Sequence, residues 1–143
     1  MNGLQKPSVT VIRQKVLIPG ATLDSVYRAL LSSKEHSEIT GSKAICSARE
    51  GSRFIAWDCY ISGKNVELTK GKKIVQEWQT SEWPEGYEPS ILEIFLKKVG
   101  SDTELSMVQS KVPSSQARDY DKGWHDSYWN PMKKYFGAKL QKK

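Results

Sequence analysis

The chain has 143 residues, 38% of them hydrophobic and 27% charged, and a net charge of +6. That balance excludes a disordered polymer, and no run of about eighteen apolar residues exists to cross a membrane. Residues 1–143 are expected to form a single domain, which at this length buries about two thirds of the surface its unfolded chain exposes. Residues 1–7 lack the apolar run of a signal peptide, so a cytoplasmic, reducing location is the expectation. Cys46 and Cys59 form no CxxC pair and have no His or Cys beside them at metal-ligand spacing, so neither a metal nor another cofactor is expected.

Residues 8–18 alternate β-branched and polar side chains and read as a first strand, ended by Pro19-Gly20. Thr22 then precedes Leu23, Val26, Tyr27, Leu30 and Leu31, whose three-and-four spacing predicts an amphipathic helix capped by Thr22 or a near neighbour. Residues 32–39 predict a second short helix, capped by Ser33 and stopped near Gly41. From there the period switches to two. Strands are predicted over 44–47, 53–58, 61–68, 72–80, 90–99 and 103–112, with Gly63 expected as a bulge. Glu50-Gly51, Lys70-Gly71, residues 84–89 and Gly100-Ser101-Asp102 punctuate them.

A last helix is predicted from Ser115 or Gln116, with Ser114 as its cap. In it Trp124, Tyr128, Met132 and Tyr135 recur at spacings of four, four and three, and Trp129 and Phe136 widen that stripe. Pro131 lies inside the pattern without an amide donor, so a kink or short break is expected near Asn130. The order is strand, one or two short helices, about six antiparallel strands and a long helix. It reads as an α+β fold, a curved antiparallel sheet wrapped around the C-terminal helix. Without repeated strand–helix alternation, parallel doubly wound folds are not expected.

His36 and His125 lie in different helices with no nucleophile set beside them, and the carboxylates form no recognisable acid–base pair. Phosphate-loop, dinucleotide and HExxH motifs are also missing, so an enzyme is not expected. Two prolines restrict the loop 82–89, which would hold Trp83 and Tyr87 ready for recognition. The alternative is that Trp83 folds back as a lid over the end of the core. Trp57, Trp78 and Trp129 read as core facing a cavity between sheet and helix, with Trp124, Tyr128 and Met132 lining it from the helix side. From Arg118 onward seven Lys or Arg stand against three Asp, a local charge of +4, leaving +2 for the rest. A basic final helix suits an acidic protein partner or is simply a solvated face. No RNP or helix-turn-helix pattern accompanies it, so neither nucleic acid nor membrane is expected as a partner.

The string from Gly63 to Trp78 (GKNVELTKGKKIVQEW), then Trp83-Pro84-Glu85-Gly86, resembles the family of activators of heat shock protein 90 ATPase. So does the final helix, through Gly123, Trp124, Tyr128, Trp129, Pro131, Lys133, Lys134, Tyr135 and Phe136, and so does the early helix pair ending in Thr40-Gly41. The resemblance covers nearly the whole chain. It implies a helix-grip fold of the START-like or Bet v 1-like superfamily, and a co-chaperone module that binds heat shock protein 90 and modulates its ATPase cycle through protein contacts. In the eukaryotic activators this module is the C-terminal half of a two-domain protein, and the 143 residues are expected to hold this module alone. By position, the partner-facing residues would be Trp83, Pro84, Glu85, Gly86 and Tyr87 in the loop and Lys133, Lys134 and Lys139 on the helix. Some superfamily members carry lipids or other apolar molecules, so an apolar small-molecule ligand is the alternative expectation.

Overall fold

The computed structural model describes residues 7–141, with side chains described to residue 138. Its first strand, β1 (Val9–Ile18), leads into α1 (Leu23–Leu31) and α2 (Ser33–Thr40). Five strands follow: β2 (Arg53–Ala56), β3 (Ile61–Thr69), β4 (Lys73–Thr80), β5 (Ser90–Val99) and β6 (Asp102–Pro113). The chain ends in α3 (Ala117–Trp124), a π turn (His125–Trp129) and α4 (Asn130–Gln141), which run on from one another. The strands form one antiparallel sheet in the order β1-β6-β5-β4-β3-β2, so the first strand closes against the last. This is the α+β helix-grip arrangement expected.

Alternation along the strands aims one face at the helix. Ile74, Gln76, Trp78 and Thr80 of β4, Leu92, Ile94 and Leu96 of β5, and Leu105, Met107 and Gln109 of β6 are all buried. Against them the long helix sets Tyr120, Trp124, Tyr128, Met132 and Phe136, every fourth residue, together with Trp129. Phe136 occupies the buried position expected for Tyr135. The Tyr135 ring is only half-buried, and its hydroxyl donates to Glu35 Oε1 at 3.3 Å and Glu38 Oε1 at 3.2 Å.

That constant spacing of four explains the π turn. In a regular α-helix each four-residue step overshoots a full turn by roughly 40°, so four steps would carry the stripe off the sheet. A wider turn with i→i+5 bonding undershoots and returns the stripe to the same face. The Asn130 N–H reaches back to the His125 carbonyl, closing the widened turn one residue before Pro131, which has no amide of its own to give. The interruption expected near Asn130 therefore takes the form of a π turn at 125–129.

Several local expectations are corrected. The cap of α2 is Ser32, whose hydroxyl accepts from Glu35 N at 3.2 Å, while Thr22 caps α1 as expected. Ser33 instead bonds Cys46, accepting from its N–H at 2.9 Å and donating to its carbonyl at 3.0 Å. Residues 44–47 form no strand beyond a single bridge from Ile45 to Ile55, because Ser33 and Ser37 satisfy the Cys46 and Ala44 backbone. Gly63 is no bulge: it pairs with Trp78, and a Cβ there would strike the Glu77 carbonyl and lie 2.7 Å from the Phe54 ring. The register shift in β3 falls between Asn65 and Glu67. Ser114 does not cap α3. Its N-cap is Gln116, which makes no side-chain cap bond, and Ser114 Oγ accepts from Ser8 Oγ at 3.0 Å.

Candidate functional site

Between β2 and β3 the chain turns through Trp57, Asp58, Cys59 and Tyr60, and the first three all have positive φ (51°, 53° and 76°). Asp58 and Cys59 take the mirror-image hairpin conformation that favours Asn-Gly, and neither is glycine. The turn faces the π turn across an open cavity of about 270 Å³. Trp78, Tyr120, Trp124 and Tyr128 line it together with Trp57 and Tyr60 of the turn. Of the residues expected at a cavity, Trp57, Trp78, Trp124 and Tyr128 thus share one pocket. Met132 and Trp129 are fully buried away from it, and the Trp129 indole donates to Gln14 Oε1 at 2.6 Å.

The pocket walls rest on buried polar bonds. Trp124 Nε1 donates to Gln109 Oε1 at 2.8 Å, Gln109 Nε2 donates to Ser90 Oγ at 3.0 Å, and Ser90 Oγ donates to the Trp78 carbonyl at 2.6 Å. Two of the three tryptophans are therefore tied together through β5 and β6. Tyr120 donates to Gln116 Oε1 at 2.8 Å, so the Thr80 hydroxyl, 2.6 Å away, is the donor to Tyr120. Deeper, Tyr128 meets His36: the Leu30 carbonyl lies 3.1 Å from His36 Nδ1 and the Tyr128 hydroxyl 2.9 Å from Nε2. A carbonyl can only accept, so the proton sits on Nδ1 and Nε2 accepts from Tyr128. Burial lowers the pKa of His36, the Leu30 bond opposing it, and burial raises that of Tyr128. Burial likewise pushes the Cys46 thiol up to about 11, so it is held as an inert thiol.

Sequence reasoning missed His36 as a partner of Tyr128, since 92 residues separate them. It also missed Tyr60, Tyr120, Gly123 and Ser127 at the pocket. A tyrosine four residues before Trp124 on the same face was the available signal for Tyr120.

The loop residues and the lysines do not converge. Trp83 stacks on Tyr120 at 5.9 Å between ring centroids and donates its indole N–H to the Glu88 carbonyl at 2.8 Å, so it lies half-buried against the core as a lid. Pro84 and Tyr87 are half-buried, while Glu85 and Gly86 are exposed at a turn in which Gly86 has φ of 85°. Lys133 and Lys134 are exposed and form no ion pair with another described residue. They lie thirteen and fourteen residues beyond Tyr120, roughly 20 Å along the helix. The Lys139 side chain lies outside the described residues.

The family model described as Activator of Hsp90 ATPase homolog 1-like protein matches residues 20–137, spanning both helix pair and final helix. The chain belongs to this family. Human activator of 90 kDa heat shock protein ATPase homolog 1 is 30% identical over 114 residues, 80% of this chain and 33% of that protein. The Dictyostelium discoideum activator homolog is 24% identical over 132 residues, 92% of this chain and 34% of that protein. The chain therefore spans about a third of the length of these relatives. The crystal structure of an HSP90 activator from Plasmodium falciparum superposes with a TM-score of 0.78, covering 90% of this chain and 96% of that one at 19% identity. At that identity the likeness shows the shared fold. No helix of the described residues is long and apolar enough to cross a membrane.

Proposed function

We propose that this chain is a co-chaperone module that binds a heat shock protein 90 chaperone in the cytoplasm and shifts its ATPase cycle through protein contacts, without chemistry of its own. The observation that carries this reading is the family match over residues 20–137. The exposed Lys133-Lys134 pair supplies a site for an acidic partner surface, and Glu85-Gly86 with the half-buried Trp83, Pro84 and Tyr87 supplies a second contact at the other end of the helix. A regulator of this kind must bind one conformation of the chaperone better than another, because equal binding shifts no equilibrium. Calorimetric titration into a chaperone from the same cells, with and without nucleotide, tests it. Binding that differs between nucleotide states is expected. Absence of heat at low salt, or identical affinity in both states, would overturn the proposal.

One observation favours a second reading, that of a small-molecule binder. The aromatic pocket is open and its walls are apolar apart from hydroxyl and indole groups. A co-purifying molecule in native mass spectrometry is the expected result if the pocket serves a ligand.

A further inference from the structure

We propose that the pocket between the β2–β3 hairpin and the π turn binds a methylated ammonium headgroup, an inference that rests on the second reading above. One wall is a continuous run of rings. Trp78 and Trp124 lie 5.5 Å apart, Trp124 and Tyr128 5.0 Å, and Tyr120 stands edge-on to Trp78 at 5.4 Å, all between centroids. The hairpin adds Trp57 and Tyr60, whose side chains are hydrogen-bonded to Tyr128 and Tyr120 of that run.

The volume between them, about 270 Å³, falls just under the roughly 300 Å³ at which drug-sized pockets begin. It suits a compact headgroup rather than a long acyl chain. A cation within about 6 Å of a ring face is drawn to the ring quadrupole, and six aromatic side chains line this pocket. Among the described residues no charged side chain lines the pocket, so a guest must surrender water without gaining a direct ion pair. A strongly hydrated ammonium or metal ion loses too much by that exchange. The diffuse charge of a quaternary nitrogen does not.

Three carboxylates stand next to lining residues in the chain or bonded to one, with Arg118 the exposed cation beside Asp119. Glu82 accepts from the Tyr60 hydroxyl at 2.5 Å, Asp58 is exposed in the same turn as Trp57, and Asp119 is exposed beside Tyr120. Lys122, one turn along, is engaged by Asp126 at 3.5 Å. In a chain of net charge +6, Glu82, bonded to the lining Tyr60, is the carboxylate that would favour a cation there against the overall field.

The headgroup has two sources, a free molecule such as choline or a trimethylated lysine on another protein. Tryptophan fluorescence of the full chain, titrated with choline, with its uncharged analogue carrying carbon in place of nitrogen, and with trimethyllysine and unmodified lysine peptides, separates them. Binding about tenfold tighter for the quaternary member of either pair is expected. Choline as the tightest probe identifies a free molecule, and the trimethylated peptide a protein source. Glu82→Gln should weaken binding several-fold without moving the thermal midpoint. Equal binding of choline and its uncharged analogue overturns the cation assignment and leaves the apolar pocket standing. Silence from all four probes, with naphthalene binding, does the same, while silence that extends to naphthalene removes both.

Discussion

Tyr128 does two things at once: its ring lines the pocket and its hydroxyl donates to the buried His36, whose tautomer the Leu30 carbonyl fixes. Because burial lowers the His36 pKa, the unfolded chain binds a proton at His36 more readily than the folded one below about pH 6.5. The stabilisation from keeping this ring neutral is present above that pH and is lost as pH falls toward the depressed folded value. His36→Gln keeps an acceptor for Tyr128 and a donor for Leu30 without a titrating proton. Urea unfolding between about pH 7 and pH 5 should therefore have a shallower pH slope in the variant, by up to about 1.4 kcal/mol per pH unit. Equal slopes would place the acid sensitivity elsewhere. The hairpin residues carry a separate expectation. Cys59 has φ of 76°, a conformation glycine adopts without steric penalty, so Cys59→Gly should stabilise the fold by about 1 kcal/mol, read as a raised thermal midpoint.

At the scale of elements, the π turn keeps a stripe with constant spacing of four on the sheet, and this has a sharp consequence for chain length. Deleting Ser127 leaves buried residues at spacings of four, three, four and four, a pattern an uninterrupted α-helix satisfies. The deletion should still unfold cooperatively, although it removes one pocket residue. Inserting an alanine after Ser127 has the opposite effect. It rotates Met132 and Phe136 about 100° away from the sheet, with a loss of about 3–6 kcal/mol from their exposure. Equal destabilisation by deletion and insertion, measured by denaturant unfolding, would sink this account of the π turn. Much of the architecture was legible at this scale because period-two runs and Gly or Pro punctuation mark β3 to β6 directly. The hairpin at Trp57–Tyr60 was not, since its turn lacks the Asn-Gly signal, nor was the loss of the strand at 44–47, which depends on serine side chains from α2. Gln76, Asn65 and Gln109 look like surface residues in sequence. Their burial follows from partners brought together only by the sheet, as when Gln76 Nε2 donates to Asn65 Oδ1 at 2.9 Å.

Across the whole molecule the long helix separates two chemistries. Its first half carries one wall of the aromatic pocket, and its second half presents Lys133 and Lys134 to solvent. Of the candidate site, Trp124 and Tyr128 were readable from helical spacing, whereas the distance between the loop and the lysines needed the fold. A protein partner engaging the basic end would do so through screened surface charge, so its affinity should fall as salt rises from low to physiological strength. The measurement that bears most directly on the proposed role is ATP turnover by a heat shock protein 90 chaperone, at low salt, with the natural chain and with Lys133→Glu/Lys134→Glu. The natural chain should change the turnover rate, and the charge-reversed chain, folded to the same thermal midpoint, should lose most of that effect. An unchanged rate with the natural chain, under conditions where the chaperone itself is active, would contradict the proposal.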